Sequence, residues 1–176
     1  MKYELSKYIQ NKMLDKNLIL RKATINDLDN ILDLFTERIK WFKNNNIDQW
    51  SKYLEHHPKS EFEDVILNSN LFLLQNNSDI IATFELTTNS KYWFDTKTPA
   101  YYIYKVVIKH GYKQMGELIF DICIDIAKQN NKKYLRLSCL NSNTKLNDIY
   151  ENHGFKFIKL GYDEYYTYSL RQQDIN

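Results

Sequence analysis

The sequence predicts an α/β domain: a mixed central sheet flanked by helices. Three observations carry that reading. Residues 101–128 begin as a buried strand (YYIYKVVIK), pass through a turn holding Gly111 and Gly116, and end in an amphipathic helix (ELIFDICIDIAK). A further apolar strand follows at 133–139, so the helix serves as a βαβ crossover between the two. Residues 71–75 and 80–87 flank the turn cluster Asn76, Asn77, Ser78 and Asp79, which marks a hairpin.

The remaining elements follow in order. Residues 1–17 are polar with scattered Tyr, Leu and Met, and read as a short N-terminal helix or arm. Residues 18–23 read as a strand. Thr24 caps the next helix with Asp27 at the capping-box position, and Ile25, Leu28, Ile31, Leu32, Leu34, Phe35, Ile39 and Phe42 form its apolar stripe. A polar stretch runs to Lys59. Ser60 with Glu63 is a second capping-box pattern opening a short helix through Phe62, Val65 and Ile66. The loop 88–99 holds Tyr92, Trp93 and Phe94, readable as a pocket edge or as a surface cluster covering the end of the sheet. Residues 144–152 form a helix with Gly154 at its C′ position. Strands 155–160 and 164–170 close the fold, joined through Gly161. The expected organisation is one domain over 18–170 with a C-terminal tail, 171–176.

Composition narrows the function. A chain of 176 residues buries roughly 70% of its unfolded surface. Net charge is +2, from 24 basic and 22 acidic residues, which leaves no electrostatic footprint for nucleic acid. Cys123 and Cys139 match no zinc or redox spacing. His56, His57 and His153 make no metal set, so no metal is expected. No apolar run approaches ~18 residues and no signal peptide is visible, so the expectation is a cytoplasmic protein without a membrane span.

The turn after the central strand is the first candidate site. The chain has only four glycines, and two of them flank this turn. Strand, glycine turn and helix N-terminus is an arrangement that aims backbone N–H groups at an anion. The plainer alternative is a loop needing flexible residues.

A second segment, Asn143-Thr144-Lys145-Leu146-Asn147-Asp148-Ile149-Tyr150-Glu151-Asn152-His153-Gly154-Phe155, closely resembles the Asn-x-x-(small or Leu)-x-x-x-Tyr-x-x-x-Gly-Phe segment of the GNAT family of N-acetyltransferases. The resemblance extends back through the elements in that family's order and covers about residues 18–170. It implies a mostly antiparallel sheet, splayed at its central parallel strand pair, that is, the acyl-CoA N-acyltransferase fold. It implies acetyl-CoA as co-substrate and a small-molecule or peptide amine as acceptor. The backbone of Val106, Val107 and Ile108 would pair with the pantetheine arm. The backbone N–H groups of Gly111, Tyr112, Lys113, Gln114, Met115, Gly116 and Glu117 would hold the pyrophosphate, and Asn143 would hydrogen-bond near the pantetheine. Tyr150 would protonate the departing thiolate. Glu85, on the strand beside the central one, is a candidate general base, directly or through water; its alternative is a solvent-facing carboxylate. The family's turn pattern is Arg/Gln-x-x-Gly-x-Gly/Ala. Here Gly111 stands first, Gln114 replaces the middle glycine, and Gly116 is retained, with Lys109 and Lys113 offering compensating charge. Two functions follow: an acetyl-CoA-dependent N-acetyltransferase, or a non-catalytic module on the same fold that senses acyl-CoA or pairs with a partner chain, a homodimer included.

Overall fold

The computed structural model describes residues 3–47, 49–93 and 97–175; Phe94 of the aromatic loop lies outside them. In chain order the elements are α1 (Lys7–Leu14), β1 (Ile19–Lys22), α2 (Leu28–Asn44), α3 (Tyr53–His56), α4 (Lys59–Asn68), β2 (Leu71–Asn76), β3 (Asp79–Thr87), β4 (Ala100–Ile108), α5 (Met115–Gln129), β5 (Tyr134–Leu140), α6 (Thr144–Asn152), β6 (Lys156–Tyr162) and β7 (Thr167–Asp174). The strands form a seven-stranded mixed sheet in the order β1-β2-β3-β4-β5-β7-β6. The hairpin pairs Leu71 with Glu85 and Asn76 with Asp79, and Asn77 turns it with a left-handed backbone, φ 51°. β1 adds antiparallel to β2, and β7 adds antiparallel to β5 and to β6.

The parallel pair is β4 and β5, as the crossover helix requires. Among the described residues its register runs from Ala100–Tyr134 to Ile103–Leu137 and stops there, although β4 continues to Ile108 and β5 to Leu140. Just past that point Lys105 has φ 50°, a left-handed residue inside a strand. One such residue breaks the pleat and re-aims the strand, as a bulge does.

The described residues fall into two compact units, and β4 passes through both. One contains residues 11–86 and 105–116. Its core gathers Leu28, Ile31, Leu34 and Phe35 of α2, Phe62 and Val65 of α4, Leu71 and Leu73 of β2, and Val107 of β4. Phe35 and Phe62 meet edge to face at 5.0 Å. The other contains residues 1–10, 87–104 and 117–176. There Ile119, Ile122 and Ile126, on one stripe of α5, are fully buried. Trp93, Ala100, Tyr102 and Leu170 form a second cluster.

Two expectations are corrected. The polar sequence Arg171-Gln172-Gln173-Asp174 is not a tail but the end of β7, which pairs Arg136 with Gln172 and Tyr134 with Asp174. Arg171 is buried, and its guanidinium donates to Asn147 Oδ1 at 3.0 Å and to the Phe155 carbonyl at 2.9 Å, so the ladder and these bonds outweigh low strand propensity. The helix assigned to Ser60 and Glu63 begins earlier, with Pro58 as its N-cap at φ −66°.

The Thr24–Asp27 cap is present and more elaborate than the capping pattern alone. The Asp27 carboxylate accepts from Thr24 N–H at 2.8 Å and from Thr24 Oγ1 at 2.9 Å. It also receives both Arg21 guanidinium nitrogens at 2.7 Å, a bidentate pair. The Arg21 hydrogen bond lowers the Asp27 carboxyl to about 2, with the Thr24 bonds assisting. A carboxyl depressed on folding stabilises the protein above its unfolded value and ceases to do so as pH falls through its folded value. Asp27→Asn should therefore cost about 2 kcal/mol at neutral pH. Urea melts of both proteins should converge as pH falls from about 4 toward 2; a gap that persists in acid would assign the effect to shape and not to charge.

Candidate functional site

β4 runs on through Val106, Val107 and Ile108 past the last residue paired with β5, and α2 pins its end. Arg38 donates from Nε to the Ile108 carbonyl at 3.1 Å and from a second guanidinium nitrogen to the same oxygen. Lys109 N–H bonds the Ile81 carbonyl at 2.8 Å. Val107 is buried, while Val106 and Ile108 are half-buried. The following turn is exposed at Gly111, Tyr112, Lys113 and Gln114, and α5 begins at Met115. Gly111 has φ 91°, which explains a glycine there. Gln114, at the position where the family pattern has glycine, has φ 60°, a left-handed backbone. The side chain is held in a conformation that costs a non-glycine residue of the order of 1 kcal/mol. Gly116 is helical, and a Cβ there would meet only Ile108 Cδ1 at 3.9 Å, so the fold itself leaves room for a side chain. The first turn of α5 leaves its backbone N–H groups without intrahelical partners and carries the positive end of the helix dipole. Glu117 is exposed on that turn.

Glu85 is not solvent-facing. Its side chain is 8% exposed and lies 3.7 Å from Lys105 Nζ. Ser69 Oγ donates to its other oxygen at 2.8 Å. Lys105, 7% exposed, also holds Glu61 at 2.8 Å, and the second Glu61 oxygen meets His57 Nδ1 at 2.7 Å. The chain of contacts is Ser69, Glu85, Lys105, Glu61, His57. Burial would raise the Glu61 carboxyl, but Lys105 and His57 outweigh it and hold it below its ordinary value. The Lys105 ammonium also lies 5.5 Å over the Phe62 ring. Sequence reasoning missed Lys105, Glu61 and His57 as members of one cluster. A His–Glu pair four apart beside a helix start was a visible signal, but nothing in the sequence tied Lys105 to it.

Asn143 and Tyr150 sit at the two ends of α6. Asn143 is the N-cap, its Oδ1 accepting from Leu146 N–H at 3.0 Å. Tyr150 is 9% exposed and packs against Phe120 at 5.6 Å and Phe155 at 6.0 Å between ring centroids. Its hydroxyl forms no hydrogen bond among the described residues. Burial, and then proximity to Cys139, push its phenol above the ordinary tyrosine range, so it stays protonated at neutral pH. Among the described residues no helix is long and apolar enough to cross a membrane, and no three His, Cys, Asp or Glu side chains group as metal ligands.

A family model described as an acetyltransferase (GNAT) domain matches residues 20–168. No curated protein matches in sequence. Among solved structures, the chain is similar to a GNAT-family acetyltransferase from Listeria monocytogenes, with 22% identity, 89% of this chain and 94% of that one covered, and a TM-score of 0.73. It is also similar to an N-acetyltransferase from Thermoplasma acidophilum in complex with coenzyme A, with 16% identity, 89% and 98% covered, and a TM-score of 0.67. A third similar structure, a protein from Salmonella typhimurium solved with its cofactor acetyl-CoA, shares 13% identity over 91% and 95% of the chains, with a TM-score of 0.57. At these identities the likeness is one of fold.

Proposed function

We propose that this chain, which belongs to the GNAT acetyltransferase family, transfers an acetyl group from acetyl-CoA to a primary amine. One observation carries the reading furthest: the turn between β4 and α5 holds positive φ at Gly111 (91°) and Gln114 (60°) and runs straight into a helix N-terminus, a shape that can present backbone N–H groups to an anion. The acetyl-CoA and CoA held by the Salmonella and Thermoplasma proteins support the choice of donor. On this reading the backbone of Val106, Val107 and Ile108 hydrogen-bonds the pantetheine arm and polarises the thioester carbonyl. The N–H groups from Gly111 to Glu117, with the α5 dipole, receive the pyrophosphate. Asn143, beyond its capping bond, lies along the pantetheine. Tyr150 gives its proton to the leaving sulfur. Glu85, buried beside Lys105 and Ser69, acts as base through water.

The binding half of this proposal has a clean test, because Gly116 is free of internal contacts that would force glycine. Gly116→Phe should still fold, since its Cβ meets only Ile108 Cδ1 at 3.9 Å. It should also abolish the upward shift that acetyl-CoA gives the parent protein by binding only the folded state. A shift that survives in the variant would place the cradle elsewhere. Thiol release with an added amine then separates an enzyme from a module that only senses acyl-CoA.

A further inference from the structure

Strand β3 holds one residue of β4 at both ends. Thr83 and Glu85 stand two apart on β3, so their side chains line one face of it. Thr83 is fully buried, and its Oγ1 donates to the Lys105 carbonyl at 2.7 Å. Glu85 takes the other end of the same residue: its carboxylate lies 3.7 Å from Lys105 Nζ, and Glu61 meets that ammonium at 2.8 Å. Two positions before Thr83, the Ile81 carbonyl accepts from Lys109 N–H at 2.8 Å. All these residues belong to the compact unit of residues 11–86 and 105–116, as do Val106, Val107, Ile108 and the turn through Gly111.

The residue held in this way is the one whose backbone departs from the strand. Lys105 has φ 50°, a conformation that crowds a Cβ and persists only where the surroundings over-determine it. Glycine would adopt it freely, but glycine carries no ammonium. With lysine at the position, the contacts and not the residue type impose the conformation. A rotation in φ turns everything after the Lys105 nitrogen. The Lys105 carbonyl and the N–H groups of Val106, Val107 and Ile108 therefore share one setting: with φ relaxed to the extended range, the carbonyl would leave Thr83 and the next three residues would point elsewhere.

Resting on the acetyltransfer reading, we propose that Thr83 is a positioning residue for acyl-CoA. Its hydroxyl, together with the Glu85–Lys105–Glu61 ion pairs, keeps Lys105 left-handed and so aims the Val106–Ile108 backbone at the pantetheine arm. Thr83 touches no ligand in this role; it acts through the Lys105 carbonyl. Threonine suits the task because its branched Cβ fits a strand and its hydroxyl supplies a donor where the sheet is dry.

The test is calorimetric titration of acetyl-CoA, and separately of CoA, into the parent, Thr83→Val, Thr83→Ser and Val65→Ala, at a temperature where all four are folded. Valine keeps the shape and removes the donor; serine keeps the donor. Val65→Ala damages the core of the same unit far along the chain from β4 and controls for lost stability. The expected result is a Kd higher by about tenfold for Thr83→Val with both ligands, since both carry the pantetheine arm and the misaimed strand loses about one hydrogen bond to it. Thr83→Ser should bind like the parent, and Val65→Ala should melt earlier yet also bind like the parent. If the valine protein does not fold, Thr83→Ala, which opens a small gap and inserts no methyl beside the carbonyl, gives the same reading. Parent-like binding by Thr83→Val or Thr83→Ala would overturn the proposal. So would a serine protein as weak as the valine one, because the hydroxyl would then be irrelevant, or an equal loss in Val65→Ala, because stability alone would then explain it. A parent that binds neither ligand would overturn the acetyltransfer reading beneath the proposal, an outcome read before any variant is compared.

Discussion

Lys105→Met should lower the stability of the protein by about 3–5 kcal/mol. The substitution keeps an unbranched apolar stem in the space the lysine stem fills, so the loss isolates the charge. The ammonium is 7% exposed and serves two carboxylates, Glu61 at 2.8 Å and Glu85 at 3.7 Å. Glu61 is 35% exposed and keeps His57, so it tolerates the change. Glu85 is 8% exposed and would keep only the Ser69 hydroxyl, leaving a buried charge without its counter-ion. Urea unfolding at constant m-value reads the effect directly. The companion is the double variant Lys105→Met/Glu85→Gln, which removes both charges and should recover most of the loss, since a neutral replacement of a buried pair costs little while half a pair costs much. A single variant within 1 kcal/mol of the parent would mean that water reaches Glu85 and that the ion-pair cluster is not buried in a low dielectric.

That cluster also marks where the sequence stops being legible. The β2–β3 hairpin, the crossover helix α5 and the α6 segment from Asn143 to Phe155 were readable because their signals are local: turn residues, helical periodicity and fixed spacing. Gln114 was readable only in part. The chain shows a missing glycine, but φ 60° at that position is set by the end of β4 and the start of α5, not by the residue itself. Lys105 was opaque, because a lysine in a strand ordinarily points to solvent, and its partners lie 44 and 20 positions upstream at Glu61 and Glu85. Arg171-Gln172-Gln173-Asp174 read as a tail for the same reason: the bonds that make it strand come from β5, Asn147 and Phe155. Short helices fail differently. α3 has four residues, too few for a periodicity to show, and Pro58 opens α4 before the Ser60–Glu63 pattern that imitates a cap.

Tyr150→Phe should lower kcat by about 10²–10⁴-fold while acetyl-CoA affinity stays nearly constant. The phenolic proton matters when charge develops on the leaving sulfur, so its loss falls on the transition state and not on the bound ground state. The ring itself is held by Phe120 and Phe155, contacts that phenylalanine keeps. Because the hydroxyl has no hydrogen-bond partner among the described residues, the variant should lose less than about 1 kcal/mol of stability, below the usual cost of deleting a hydrogen bond. The phenol is pushed above its ordinary range by burial, so in the parent it remains a donor through neutral and mildly alkaline pH, and Tyr150 should add no falling limb to the rate profile there. Steady-state kinetics and a CoA titration on both proteins decide the matter. Unchanged turnover would take Tyr150 out of the chemistry. A variant that folds poorly would instead give its hydroxyl a structural role, contrary to the unengaged O–H on which the acid assignment stands.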